Sequence, residues 1–323
     1  MSMGNRTKHA TLWIVRAALA CIILTLASCQ PTTVSGSTPI FAVDTADASP
    51  VPSVTLALLG DVMLGRDVHA SDESFAYLKP FLASADVALA NLESPLTESP
   101  TQTESSYALC APPENAQYLL DAGFDLLALS NNHTLDCGVE GLNETQITLT
   151  EAGLGFIGPD SAAVYRSING ISLAFLAFDA TAARFDVETA IQAVRSAHQA
   201  GALVVVSIHW GAEYQAGAST SQKDLAEQLA VAGATLIWGH HPHVLQPSQW
   251  IADHKTLVLY SLGNALFDQY GLDSTRQSAL VLVSLNVYGV VQLKIVPFLI
   301  DYRHSRVIEA GPADAQRIVE YFK

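Results

Sequence analysis

A chain of 323 residues that is 50% hydrophobic and only 15% charged has ample material for a core and is not a disordered polypeptide. Its 31 acids against 16 bases give a formal net charge of −15, so it has no diffuse basic field with which to capture nucleic acid. The acidic body repels a polyanion at long range, so an anionic substrate must be held by a local positive feature such as metal ions.

In chain order, Arg6, Lys8 and Arg16 flank or precede an apolar stretch at 17–27, which closes with Leu26, Ala27, Ser28 and Cys29. This reads as an export signal over residues 1–29, too short to span a bilayer comfortably. The closing tetrapeptide resembles the bacterial lipobox, in which the cysteine is lipid-modified and becomes the first mature residue. Cys29 is then an anchor to the outer face of the bacterial membrane. The competing reading is an ordinary cleaved signal peptide with a chance cysteine. Cys21 is discarded as a rival because too little apolar sequence precedes it. Residues 30–53, rich in Pro, Ser, Thr and Ala with no sustained period, read as a flexible tether.

Folded sequence starts near Val54 and runs to 323 as one domain, without an internal repeat or a dividing linker. Apolar runs ending at Asp61, Glu93, Asn132, Trp210, His241 and Asn264 predict buried strands. Helical periods predict helices over 73–84, 113–122, 138–153, 187–200 and 220–233. This alternation argues for an α/β fold with a largely buried sheet. From 278 onward the pattern changes: two β-rich runs joined at Tyr288 and Gly289 predict an antiparallel hairpin, and a closing helix follows over 312–323. Two packed sheets in one domain fit this better than two domains. In an exported protein Cys110 and Cys137 are free to form a disulfide. Two unrelated buried thiols remain an equal alternative, because sequence does not set their separation.

Ligands of open α/β sheets bind outside the carboxyl ends of the strands, and the unusual polar residues fall there. Asp61 closes the first strand, Asn91 and Glu93 the second, and Asn131, Asn132 and His133 the third. His209 closes another, and His240, His241 and His243 the next. Singly, each has a bland reading as a turn, a cap or a core histidine. Together they are costly to bury unless something pairs them, and divalent metal ions do so. An oxygen and nitrogen donor set without cysteine suits Mn, Fe or Zn rather than Ca. The number of donors suggests two ions, which at about 3.5–4 Å apart can clamp the attacking and leaving oxygens of a hydrolysis. His241 and His243 alternate across Pro242 and so can both face the metals, which sets His240 aside as structural.

The blocks GDVMLGR (60–66), NLESPLT (91–97), LSNNHTLDCGVEGLNET (129–145), IHWGAEY (208–214), GHHPHVLQP (239–247) and YSLGNALFDQ (260–269) resemble the CapA family. Members of that family are described as poly-γ-glutamate capsule biosynthesis proteins with the fold of calcineurin-like metallophosphoesterases. The resemblance covers roughly 54–300, in the right order. It implies a four-layer αββα sandwich of two mixed β-sheets flanked by helices, with a dinuclear site at the strand ends. By position, Asp61 looks like the first-metal aspartate, Glu93 like the bridging carboxylate and Asn132 like the second-metal carboxamide. His133 looks like the imidazole that handles protons at the leaving group, and His209, His241 and His243 look like the histidine ligands. Two departures from the wider superfamily stand out. Met63 replaces the histidine of Asp-x-His, and Asn91, Leu92 and Glu93 replace Gly-Asp.

Asp136, three residues after His133, either orients that ring or caps the next helix. Arg66 either grips a substrate carboxylate or phosphate or pairs with surface acids. Asn91 and Asn264 are further candidates for the substrate side. The expected function is a membrane-anchored, metal-dependent hydrolase or transferase acting on an anionic surface polymer, most simply poly-γ-glutamate. The alternatives are a non-catalytic capsule-assembly subunit that binds polymer or synthase subunits, and a phosphoesterase acting on phosphate esters.

Overall fold

The computed structural model describes residues 41–44, 51–99, 107–160, 162–253 and 255–323. The expected export signal with Cys29, and residues 30–40 and 45–50 of the expected tether, lie outside the described residues. In chain order the first elements are β1 (Phe41–Asp44), β2 (Ser53–Val62), α1 (Lys79–Leu82), β3 (Val87–Leu92), α2 (Ala116–Ala122) and β4 (Leu126–Ala128). Next come α3 (Gly138–Glu151), β5 (Gly155–Ile157), β6 (Val164–Ile168), β7 (Ile171–Asp179), α4 (Val187–Gln199), β8 (Leu203–His209) and α5 (Thr220–Ala232). The last are β9 (Ala234–His240), β10 (Leu245–Ile251), β11 (Thr256–Leu262), β12 (Asn264–Leu266), β13 (Gln277–Asn286), β14 (Gly289–Asp301), β15 (Arg306–Glu309) and α6 (Pro312–Glu320).

One sheet runs β1-β14-β13-β2-β3-β4-β5, with β12 beside β2 and β15 beside β14; the other runs β10-β11-β9-β8-β7-β6. Both are mixed. β2 to β5 are parallel, as are β7, β8, β9 and β11, while β13, β14, β6 and β10 pair antiparallel. Strand residues alternate between two apolar layers, as the two-residue side-chain period requires. In β2, Leu56 and Leu58 pack between the sheets while Ala57 and Leu59 face the α1–α3 side. In β7, Leu173, Phe175 and Ala177 pack between the sheets while Ala174, Leu176 and Phe178 lie under α4 and α5. Both faces of these strands are therefore buried, and this is why they read as continuous apolar runs. The result is the expected αββα sandwich, with α6 packed into the inter-sheet layer through Ala315 and Ile318.

The two sheets are also joined by a polar contact. A bulge in β2 places four residues, Leu58 to Asp61, against three, Leu89 to Asn91, of β3, and Leu59 O accepts the indole N–H of Trp238 from β9 at 2.8 Å. Next to the bulge, Gly60 lies so close to the turn after β11 that a Cβ there would sit 1.8 Å from Gly263 O. That approach lets Asp61 N donate to Gly263 O.

Several sequence expectations are corrected. Phe41–Asp44, inside the expected tether, pairs antiparallel with β14. The helix expected over 73–84 shrinks to Lys79–Leu82, because residues 71–78 wind as successive turns held by bonds such as Ser74 N to Ser71 O and Leu78 N to Phe75 O. The strand expected to reach Asn132 stops at Ala128, and β5, β6, β7 and β10 were not anticipated. The hairpin at residues 286–289 is as expected, with Asn286 opposite Gly289 and Gly289 at φ 117°.

Candidate metal centre

The parallel strands of both sheets end at one edge of the sandwich, and their last residues converge there. Asp61 in β2, Asn91 in β3, Glu93 just after it, His209 and His240 at the ends of β8 and β9, His243 and Asn264 are all buried. Asp61 is held by Asn91 Nδ2 at 2.8 Å and by His241 N at 3.2 Å, and its oxygens lie 3.2 Å from His240 Nδ1 and 3.4 Å from His243 Nδ1. Around Glu93 Oε1 stand the Nε2 atoms of His209 at 3.6 Å, His243 at 3.7 Å and His133 at 3.9 Å. These three distances are too long for hydrogen bonds.

Both oxygens of Glu93 and both ring nitrogens of His240 are buried without a hydrogen-bond partner among the described residues. The 3.2 Å approach of His240 to Asp61 thus lacks hydrogen-bond geometry. An unpaired buried carboxylate is among the costlier features a fold can carry, and a cation relieves it. Two sets of ligand atoms lie within 4.8 Å of one another: those of Asp61, Glu93 and His209, and those of Glu93, His241 and His243. Glu93 belongs to both. The residues present therefore fit divalent metal.

The electrostatics follow from burial and crowding. Burial pushes the Asp61 carboxyl up, but contacts from His240 and His243 outweigh it and hold it well below the usual range. Glu93 is pushed well above its usual range by burial and by Asp61. Burial holds His209 well down, and burial together with His243 lowers His241. Burial opposes protonation of His243, yet Glu93 and Asp61 pull it up to about 9. In the two most lowered imidazoles the neutral, ligating form is favoured.

The segment after β9 departs from the expected alternation. His241 and His243 both have positive φ, at 92° and 56°, so the chain coils rather than extends. Both still reach the centre: His241 Nδ1 lies 3.1 Å from His209 Nε2, and His243 Nδ1 bonds Asn264 Oδ1 at 2.9 Å. His240, which the alternation set aside as structural, instead lies against Asp61, between Trp238 and the plane of His209. Arg66 and Tyr214, beside the centre, share the left-handed backbone, at φ 49° and 62°. Such strain persists where surrounding structure enforces it.

The third block is rearranged relative to expectation. Asn132 is exposed, whereas Asn131 is buried and donates to Asn91 Oδ1 at 3.1 Å and to Leu92 O at 2.9 Å. Asn131 Oδ1 accepts from His133 N, and this local turn directs the next side chain, that of Asn132, outward. His133 Nδ1 lies 2.8 Å from Asp136 Oδ2, which also accepts from Leu109 N. Asp136 thus orients the ring; the N-terminus of α3 has no side-chain cap. Cys110 and Cys137, next to Leu109 and Asp136, are joined as a disulfide with Cα atoms 6.3 Å apart.

Of the candidates for the substrate side, Arg66 is gripped by both oxygens of Asp268 and lies over Phe267. Its side chain is one quarter exposed. Asn91 bonds Asp61 and Asn131, and Asn264 bonds His243, Gln269 and Thr275, so both serve to place ligands. Met63, where an imidazole was missing, is buried and its Sδ accepts from Gly65 N. Sequence reasoning places Asn131 and His240 at the strand ends without giving either a role at the site, and it passes over Asp268 and Tyr214. Asp268 and Tyr214 fall within quoted blocks, but nothing in their spacing marks them as partners of Arg66 and Gln269.

Comparison with known proteins bears on this geometry. The model of a bacterial capsule synthesis protein family, PGA_cap, matches residues 55–269, a span that contains every residue of the centre. The chain belongs to this family. The PGA biosynthesis protein CapA of Bacillus subtilis is 31% identical over 292 residues, covering 82% of this chain and 74% of that protein. The capsule biosynthesis protein CapA of Bacillus anthracis is 32% identical over 277 residues, covering 76% and 67%. A crystal structure of a hypothetical protein from Thermus thermophilus is similar with a TM-score of 0.53 at 16% identity, covering 76% of this chain and 99% of that one. That last likeness concerns the fold alone. As a PGA_cap protein, the chain carries its buried cluster at the strand ends of a two-sheet sandwich.

Proposed function

We propose that this PGA_cap protein takes part in poly-γ-glutamate capsule synthesis or processing through a dinuclear metal centre that acts hydrolytically on the anionic polymer. The observation that carries this reading is Glu93, a fully buried carboxylate with both oxygens unpaired inside a ring of imidazoles. Asp61, Glu93, His209, His241 and His243 would hold the ions, which when bound polarise the bond under attack and lower the pKa of water. The positive charge they bring also supplies what the acidic body lacks for a polyanion.

The remaining steps belong to the protein. Asp136 accepts a hydrogen bond from His133 Nδ1–H and so turns Nε2 toward the centre, placed to hand on a proton to the departing group when the ring carries one on each nitrogen. Asn91 and Asn264 hold Asp61 and His243 in place. Arg66, fixed by Asp268 with its side chain one quarter exposed, lies near enough to act on Glu93 electrostatically.

The test is the size distribution of γ-linked polyglutamate incubated with the purified protein and with His241→Ala. Shortening by the wild type and none by the variant is expected. Rapid turnover of p-nitrophenyl phosphate with inert polymer would establish a phosphoesterase instead. Export and anchoring through Cys29 form part of the same proposal, and Cys29→Ala should move the protein from the membrane to the soluble fraction. Among the described residues no helix is long and apolar enough to cross a membrane.

A further inference from the structure

Beside the metal centre, the loops after β4 and β7 enclose a cavity of about 500 Å³, within the range that holds a small ligand. It borders the centre directly. Its wall includes Asn131, bonded to Asn91, and Asp179, the strand neighbour of His209. Phe178 and Phe185, with ring centroids 6.4 Å apart, form an apolar side.

The charged groups of this cavity differ in how they are engaged. Asp179 accepts from the N–H and hydroxyl of Thr181, and Asp186 caps α4 by accepting from Glu188 N and the Thr189 hydroxyl. Both carboxylates are thus spent on their own loops. Arg184, on the same wall, is exposed and has no hydrogen bond or ion pair among the described residues. Three other arginines are tied down, Arg66 to Asp268, Arg306 to Asp301 and Arg317 to Asp314. A free guanidinium is a fork for a carboxylate, and aromatic rings at its side suit a short methylene stem.

We propose that this cavity is the subsite for a carboxylate-bearing residue of the polymer adjacent to the reacting bond. Arg184 takes the carboxylate, and Phe178 and Phe185 cover the methylene groups. The assignment rests on the reading of the neighbouring centre as polymer-acting. It places that residue on the Asn131 and Asp179 side of the centre, beside His209.

The test is fluorescence anisotropy of a labelled γ-linked glutamate hexamer with the full chain. Arg184→Gln is expected to weaken binding about tenfold, the scale of one charge-assisted hydrogen-bonded pair. Arg303→Gln, at another exposed arginine on the turn after β14, should leave affinity within about twofold as a control. A hexamer whose free carboxylates are converted to primary amides should bind the wild type as weakly as the acid form binds Arg184→Gln. If the acid hexamer binds wild type and Arg184→Gln equally, the subsite is wrong while the polymer reading stands. If the wild type binds neither hexamer, the polymer reading itself fails and the subsite falls with it.

Discussion

The inter-sheet core and the metal centre are neighbours, equally buried, and opposite in chemistry. Leu58, Phe175, Trp238 and Val281 fill the core, and the one polar atom among these side chains, the Trp238 indole nitrogen, is bonded to Leu59 O. At the strand ends of the same sheets, Asp61, Glu93, His209 and His240 are as inaccessible, yet Glu93 and His240 have no hydrogen-bond partners among the described residues. Burial stabilises the first region and penalises the second. The centre is therefore a place where the fold retains a cost that a cation can relieve, held in shape by the core beneath it.

Substitutions in the two regions should separate these roles. Phe175→Ala removes a fully buried ring and is expected to cost about 3–5 kcal/mol in urea unfolding, while metal bound per folded molecule stays unchanged. Glu93→Gln should do the reverse, abolishing metal retention while leaving the metal-free protein at least as stable as metal-free wild type, since it removes an unpaired buried carboxylate. If Glu93→Gln destabilises the metal-free fold as a core deletion does, the contrast drawn here is wrong.

Acidity offers a second way to sharpen the contrast. In the metal-free protein His243 is pushed up to about 9 from the ordinary 6.5, against its burial, by Glu93 and Asp61. A raised folded pKa contributes stability that is complete below the unfolded value and is lost as pH rises through the folded one. Glu93, also raised, acts in the same direction from a lower pH. The melting temperature of chelator-treated protein should thus fall between pH 6.5 and 9. The metal-loaded protein should hold or gain stability over that window, because its ligands bind deprotonated. Parallel curves for the two forms would count against metal at this cluster.

Smaller effects are expected at the supports. Asp136→Asn leaves His133 without its carboxylate and should lower the rate about 10–100-fold with a shifted pH profile. Cys137→Ser, which unties the Asp136 turn from Leu109, should lower it less. Ser219→Ala breaks the capping box of α5, far from the chemistry, and should cost only about 1 kcal/mol by thermal melting with metal content intact.

Much of this was legible in the sequence, for a physical reason. Strands buried on both faces read as unbroken apolar runs, so the ends at Asp61, Glu93, His209 and Asn264 stand out where polarity resumes. β7 is as apolar as any of them and follows Asn169 and Gly170, a turn with both φ positive, at 52° and 79°, so its omission neglected a clear hairpin signal. β6 is an edge strand with three exposed positions, and little in VYRSI marks it. Two details could not be read locally. The coil at His241 and His243 defeats period-two reasoning, which misplaced His240. The choice between Asn131 and Asn132 depends on which one turns back to Asn91 on another strand.

Metal content of the purified full chain tests the central claim most directly. The account predicts close to two equivalents of transition metal per chain by elemental analysis, lost in Glu93→Gln and restored to the stripped wild type on adding Mn or Zn. A wild-type protein that holds no more than a trace, and takes up none when supplied, would contradict it.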